Sequence, residues 1–301
     1  MTKFNIILIS AFAAMFFSSC IDDIEIETQD GPQLVGINGY ISNEYKKHQI
    51  VLSKTSDFYS TDEIEMISGA EVFVCDGYDT IYFEETKNKG YYETIDSVAG
   101  IIGKTYNLNV NFVDEDGEHS FYAQSTMRDN VNQIDSLAIK NIVLGGTSFE
   151  NAYGLYPYFQ SNDDPDINYL INVAINDSLT SESLIKCSAY SLAGFAGLYV
   201  NGSEFVALAG ELPAYFFPMI ISFSEDGSFV YELPIEKGDK ISMYLYSVTP
   251  EFALYISDIN SNFGSNPMMG MPYNVSTNIY PEGKAVGFFE AYSTVEASII
   301  Y

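Results

Sequence analysis

From residue 34 onward the chain alternates apolar and polar residues with a period of two. Residues 34–41, 49–52, 70–75 and 80–83 are short β-branched or aromatic runs with turn residues between them. Residues 90–94, 105–113 and 119–124 continue the series. Within 105–113, Asn107, Asn109 and Asn111 alternate with Leu108, Val110 and Phe112, which predicts one buried face and one wet face. Asp114-Glu115-Asp116-Gly117 then supplies the turn chemistry of a hairpin. These seven strands predict an antiparallel β-sandwich over residues 32–128.

A second unit, 129–301, reads as a further antiparallel β domain. Its expected strands are 134–143, 167–175, 219–223, 240–246, 284–289 and 294–300. One stretch, at about 249–263, is helical in pattern. Thr249, Pro250 and Glu251 stand as N-cap, first helical residue and first-turn acid. Phe252, Tyr255, Ile256, Ile259 and Phe263 follow at helical spacing, and Asn266-Pro267 closes the segment. The fold class is therefore all-β, with one helix packed on an open end or face of the second sheet. Residues 190–217 are apolar without a clean period and rich in glycine and aromatics. Two readings stand for them: buried glycine-kinked sheet, or a partner-facing loop.

Composition narrows the function. The chain of 301 residues is 47% hydrophobic and 18% charged, which excludes a disordered polymer. A formal charge of −28 excludes a general nucleic-acid binder, since phosphate recognition needs a basic footprint. Arg128 is the sole arginine, so no guanidinium cluster can form. His48 and His119 are the two histidines, both expected in exposed turns. Cys75 and Cys187 either pair or remain separate buried thiols.

The first residues carry an address. Lys3, an apolar run over 4–17 and Ser18-Ser19 before Cys20 have the form of a secretory signal peptide over 1–19. The run is too short for a comfortable bilayer crossing, which takes about 20 residues. Phe-Ser-Ser-Cys resembles a bacterial lipobox. That resemblance implies cleavage before Cys20 and lipidation of its thiol, with several acyl chains making a firm anchor. Asp22, Asp23, Glu25 and Glu27 follow within an acidic tether, 20–31. They resemble the acidic export tag that moves Bacteroidetes lipoproteins to the outer face of the outer membrane. Cleavage would remove Lys3 and no acid, leaving a body repelled by anionic surfaces, so the membrane is expected as a partner through the lipid alone.

Two stretches carry a family resemblance. Residues 35–41, 67–74, Gly90-Tyr91-Tyr92 and 103–108 resemble carboxypeptidase-regulatory-like sandwiches of the Ig-like or transthyretin-like type. Gly238-Asp239, the helical stretch, Asn266-Pro267, 272–275, Thr277-Asn278-Ile279 and Gly287-Phe288-Phe289 form a distinctive tail. Together with the lipobox they resemble the Bacteroidetes outer-membrane lipoproteins grouped as domain of unknown function 4249. This resemblance implies an accessory role beside a TonB-dependent outer-membrane receptor, with no catalytic motif to carry over.

Tested for chemistry, the chain offers little. No G-x-S-x-G or comparable motif supports the serines, and no Cys/His spacing suits zinc. Asp163, Asp164 and Asp166 make a weak calcium candidate in a loop that lacks the EF-hand pattern. Tyr153, Tyr156, Tyr158 and Phe159, beside Gly154 and Pro157, read either as a stacking or partner surface or as sheet core. The expectation is a non-catalytic, lipid-anchored binding or accessory protein on the outer face of the outer membrane, without cofactor. The alternative is a surface adhesin or envelope-structural lipoprotein that binds protein or glycan without import.

Overall fold

The computed structural model describes residues 32–56, 63–129, 133–144, 147–158, 168–179, 200–201, 204–205, 215–216, 220–223, 229–232, 235–264 and 275–301. The leader, Cys20, Asp22, Asp23, Glu25 and Glu27 lie outside these residues. So do Phe159, Asp163, Asp164, Asp166, Cys187 and most of 190–217.

The seven expected strands are present as β1 (Val35–Ser42), β2 (Gln49–Lys54), β3 (Glu71–Cys75), β4 (Thr80–Glu85), β5 (Tyr91–Thr94), β6 (Thr105–Asp114) and β7 (Gly117–Thr126). They pair in the order β1-β2-β5-β4-β3-β6-β7. The asparagine alternation sets β6 as predicted: Tyr106, Leu108, Val110 and Phe112 are buried, and Val110 stands opposite Phe121 on β7. Gly117 takes φ of 121°, which side chains disfavour, and Asp114 Oδ1 accepts the Asp116 N–H at 2.9 Å to close the turn.

After residue 128 come β8 (Ser136–Leu144), β9 (Thr147–Tyr158), β10 (Asn168–Ile175) and the two-residue β11 (Ser178–Leu179). Short pieces follow: β12 (Val200–Asn201), β13 (Glu204–Phe205), β14 (Tyr215–Phe216), β15 (Ile220–Phe223) and β16 (Phe229–Glu232). The chain ends with β17 (Lys240–Val248), helix α1 (Pro250–Gly264) and the 16-residue β18 (Ala285–Ile300).

β18 organises the molecule. Its first half pairs parallel with β1, from Val35 opposite Ala285 to Ser42 opposite Tyr292. Its second half pairs antiparallel with β17, from Ser247 opposite Ser293 to Lys240 opposite Ile300. The stretches expected as separate domains thus share a strand within one eleven-stranded sheet. The sheet is mixed, because β1 and β18 pair in parallel. The strands expected at 284–289 and 294–300 are one. Glu290 and Ser293 interrupt the apolar pattern in the sequence, yet both are fully buried and hydrogen-bonded within the continuous strand.

Three clusters of buried side chains form around this strand. Phe289 and Ala291 point into the core of the first seven strands, with Ile37, Leu52, Val74 and Leu108. Phe288 and Tyr292, on the opposite face, meet α1 through Phe252, Tyr255 and Ile256. Burial of Phe252 and Ile256 contributes about 1.5–3 kcal/mol each. The helix starts as expected: Thr249 Oγ1 accepts the Phe252 N–H at 3.3 Å. The third cluster joins Leu137, Leu155, Ile171, Val173, Ile241 and Leu245 from β8, β9, β10 and β17.

Both histidines depart from expectation. His48 is fully buried, its Nε2 3.0 Å from the Val98 carbonyl, and burial lowers its imidazole pKa. His119 lies within β7, its ring stacked 4.8 Å from that of Phe112 and its Nε2 2.7 Å from Asp114 Oδ1. Each looks like a turn from its local sequence, but His48 meets the segment around Val98 and His119 stacks on Phe112 of β6. Cys75 is half-buried and its Sγ accepts the Gly77 N–H.

Candidate functional site

β7 is the last strand of its sheet, yet it returns against the first half of β18. The segment 275–281 fills the seam between them. Tyr122 and Tyr280 exchange backbone hydrogen bonds at 2.9 and 2.8 Å. The Asn278 side chain behaves like a peptide group: its Oδ1 accepts the Phe289 N–H at 3.0 Å and its Nδ2 donates to the Phe289 carbonyl at 2.8 Å. Asn43 does the same for Thr294, at 2.8 and 3.3 Å, where the β1 ladder stops. Two asparagine amides thereby satisfy backbone groups on β18, Asn43 just past the end of the β1 ladder and Asn278 at Phe289, before the β17 ladder begins.

Beside this seam, at the start of α1, lies a cleft of about 310 Å³. Gln124, Ser125, Thr126 and Arg128 line it from the end of β7, Thr249 and Glu251 from the helix start, Asn278 and Tyr280 from the seam, and Phe288 from β18. Tyr280 is half-exposed, and its ring stacks on Tyr122 with centroids 5.2 Å apart and planes 13° apart. The Ser293 hydroxyl donates to the Arg128 carbonyl at 2.9 Å and fixes the backbone there.

Glu290 is buried behind the wall. Its Oε1 accepts the Thr249 N–H at 2.7 Å, and its Oε2 accepts the Thr249 and Ser125 hydroxyls, each at 2.9 Å. Both hydroxyls are engaged a second time. Ser125 Oγ accepts the Ala291 N–H at 2.9 Å, and Thr249 Oγ1 caps the helix. Burial pushes the carboxyl pKa up to about 8 against the pull of these three donors. Glu290 thus ties β7, β18 and α1 together, and the cleft wall is stiff because of it.

The other expected surface residues lie elsewhere. Tyr156 is buried, and Tyr153 and Tyr158 are half-buried, all on β9. Tyr153 faces the third core cluster, while Lys140 lies over the rings of Tyr156 and Tyr158 at 5.4 and 5.1 Å. Alternation along the strand separates Tyr153 from the other two. None of these lines the cleft. Among the described residues no group of three or more His, Cys, Asp or Glu forms a metal cluster, and no helix is long and apolar enough to cross a membrane.

The cleft escaped prediction because its parts come from positions 124–128, 249–251, 278–280 and 288, which only the fold brings together. One signal was available: Glu290 is a charge set directly between Phe288-Phe289 and Ala291-Tyr292.

The family model for a domain of unknown function, DUF4249, matches residues 21–298. The chain belongs to the DUF4249 family. The match takes in the seven-stranded part, the helix and all but the last two residues of β18, so the whole cleft lies inside the DUF4249 region. Among curated proteins, none matches the chain.

Proposed function

We propose that this DUF4249 protein is a lipoprotein of the Bacteroidetes type, anchored through Cys20 at the outer face of the outer membrane. There it serves as a non-catalytic binding component beside a TonB-dependent transporter. The carrying observation is the position of Cys20, directly behind an apolar leader ending in Ser18-Ser19 and ahead of Asp22, Asp23, Glu25 and Glu27. A firm lipid anchor holds a folded body at a surface, and rigid sheets there present loops and clefts to partners. The cleft supports binding over turnover, since its Ser125 and Thr249 hydroxyls are each engaged by Glu290 and by a backbone N–H. The strands before residue 128 are proposed as a carboxypeptidase-regulatory-like, Ig-like sandwich.

Affinity purification of the full-length protein from mildly solubilised outer membranes tests the reading. A TonB-dependent receptor retained in stoichiometric amount is the expected result. Recovery without any receptor, together with lost attachment and unchanged nutrient uptake in a deletion strain, favours the adhesin or envelope-structural alternative.

A further inference from the structure

We propose that the cleft between the end of β7 and the start of α1 binds a single neutral sugar ring of a glycan, stacked on Tyr280 and held by the polar groups around it. The inference rests on the reading of this chain as a binding protein, and is independent of how the chain is anchored.

Size comes first. About 310 Å³ lies at the lower end of the roughly 300–1,000 Å³ typical of ligand pockets, enough for one ring and too little for a helix or a large cofactor. The lining includes Arg128 and Glu251 with Gln124 and Thr126; the Gln124 amide donates to Asn107 Oδ1 at 2.9 Å and the Thr126 hydroxyl bonds that of Thr105 at 2.8 Å, which leaves acceptor lone pairs on both. A ring of hydroxyls both donates and accepts, so it can answer each of these groups.

Charge argues for neutrality. Arg128 and Glu251 bring one charge of each sign to the lining. An added carboxylate or phosphate would meet Glu251 and the field of a chain carrying −28, and an ammonium would meet Arg128. The remaining feature is the aromatic one. Tyr280 leaves 47% of its surface exposed, and the stacked Tyr122 behind it fixes its plane. The C–H face of a pyranose is apolar and packs flat on such a ring.

The test titrates the full-length lipidated protein, in a zwitterionic detergent without a sugar head group. The probes are the methyl glycosides of glucose, galactose, mannose and xylose, with galacturonate, glucosamine and tetraglycine for comparison. Binding is read by saturation-transfer NMR. At least one neutral glycoside is expected to bind with a Kd in the millimolar range, as suits a ligand of this size. Tyr280→Ala should weaken it about tenfold, while Tyr82→Ala, an exposed ring on the distant β4, should leave it unchanged. Far-ultraviolet circular dichroism confirms that both variants fold. Preference for galacturonate, glucosamine or tetraglycine, no glycoside bound at about 100 mM, or affinity unaltered by Tyr280→Ala overturns the proposal. An anchored, receptor-bound protein that ignores every glycoside sinks this inference alone. Glycoside binding by a protein that is not anchored sinks the anchoring instead.

Discussion

Ser125 and Glu290 stand 165 residues apart in the chain and meet through a 2.9 Å hydrogen bond inside the protein. The same hydroxyl oxygen accepts the Ala291 N–H, so one serine satisfies a buried carboxyl and a backbone group on β18. Ser125→Ala removes both bonds at once. It should lower stability by about 1–3 kcal/mol in urea unfolding, with the slope unchanged. A midpoint equal to that of the parent protein would show that the seam does not depend on this contact.

Glu290 should also give stability a distinctive pH profile. Its pKa is about 8 in the folded protein against an ordinary 4.5. Between those values the folded state keeps a proton that the unfolded chain has released, so stability falls as pH rises. The contribution is complete below the unfolded value and is lost through pH 8, with a slope approaching about 1.4 kcal/mol per pH unit. His48 works in the opposite direction, since its lowered pKa makes stability fall as pH drops below 6.5. Glu290→Gln, which resembles the protonated acid, should flatten the limb between pH 5 and 8 in denaturation series. A parent profile already flat across that range contradicts this.

Gly287 is the least replaceable residue of the shared strand. Its φ is +100°, and a Cβ placed there would lie 2.1 Å from the Ile37 carbonyl oxygen on β1. Gly287→Ala should therefore break the parallel pairing, costing more than about 3 kcal/mol. The check is soluble yield and thermal midpoint, and a drop of only a degree or two would be incompatible with the close approach of β1 and β18.

How much of this could be read in advance depended on how local the cause was. The β6–β7 hairpin and α1 were legible because alternating asparagines, Asp114 and Gly117, and the Thr249-Pro250-Glu251 start act within a few residues. The unity of β18 was not, because Glu290 looks like a break until Ser125 and Thr249 are seen around it. His48 looks like a turn residue until the Val98 carbonyl comes into contact. Parallel pairing of Val35 with Ala285 leaves no mark on either segment alone. The cleft inherits all of this remoteness, so its residues were missed while Tyr153, Tyr156 and Tyr158, prominent in the sequence, belong to another strand pair.

The acidic run after Cys20 has a separable role in the proposed address. Replacing Asp22, Asp23, Glu25 and Glu27 by their amides removes four negative charges and keeps the shape of each side chain. The variant should stay membrane-bound but lose cleavage by a protease added to intact cells. Undiminished cleavage would reduce the run to a solvated spacer.

Lipid attachment at position 20 underlies the proposed address and role. Mass spectrometry of the protein's N-terminal peptide, alongside fractionation of a Cys20→Ser variant, tests it most directly. The expected result is a mature chain that begins at Cys20 and carries acyl groups, and a serine variant that leaves the membrane fraction. An unmodified Cys20, or a serine variant that sediments with membranes as before, would contradict it.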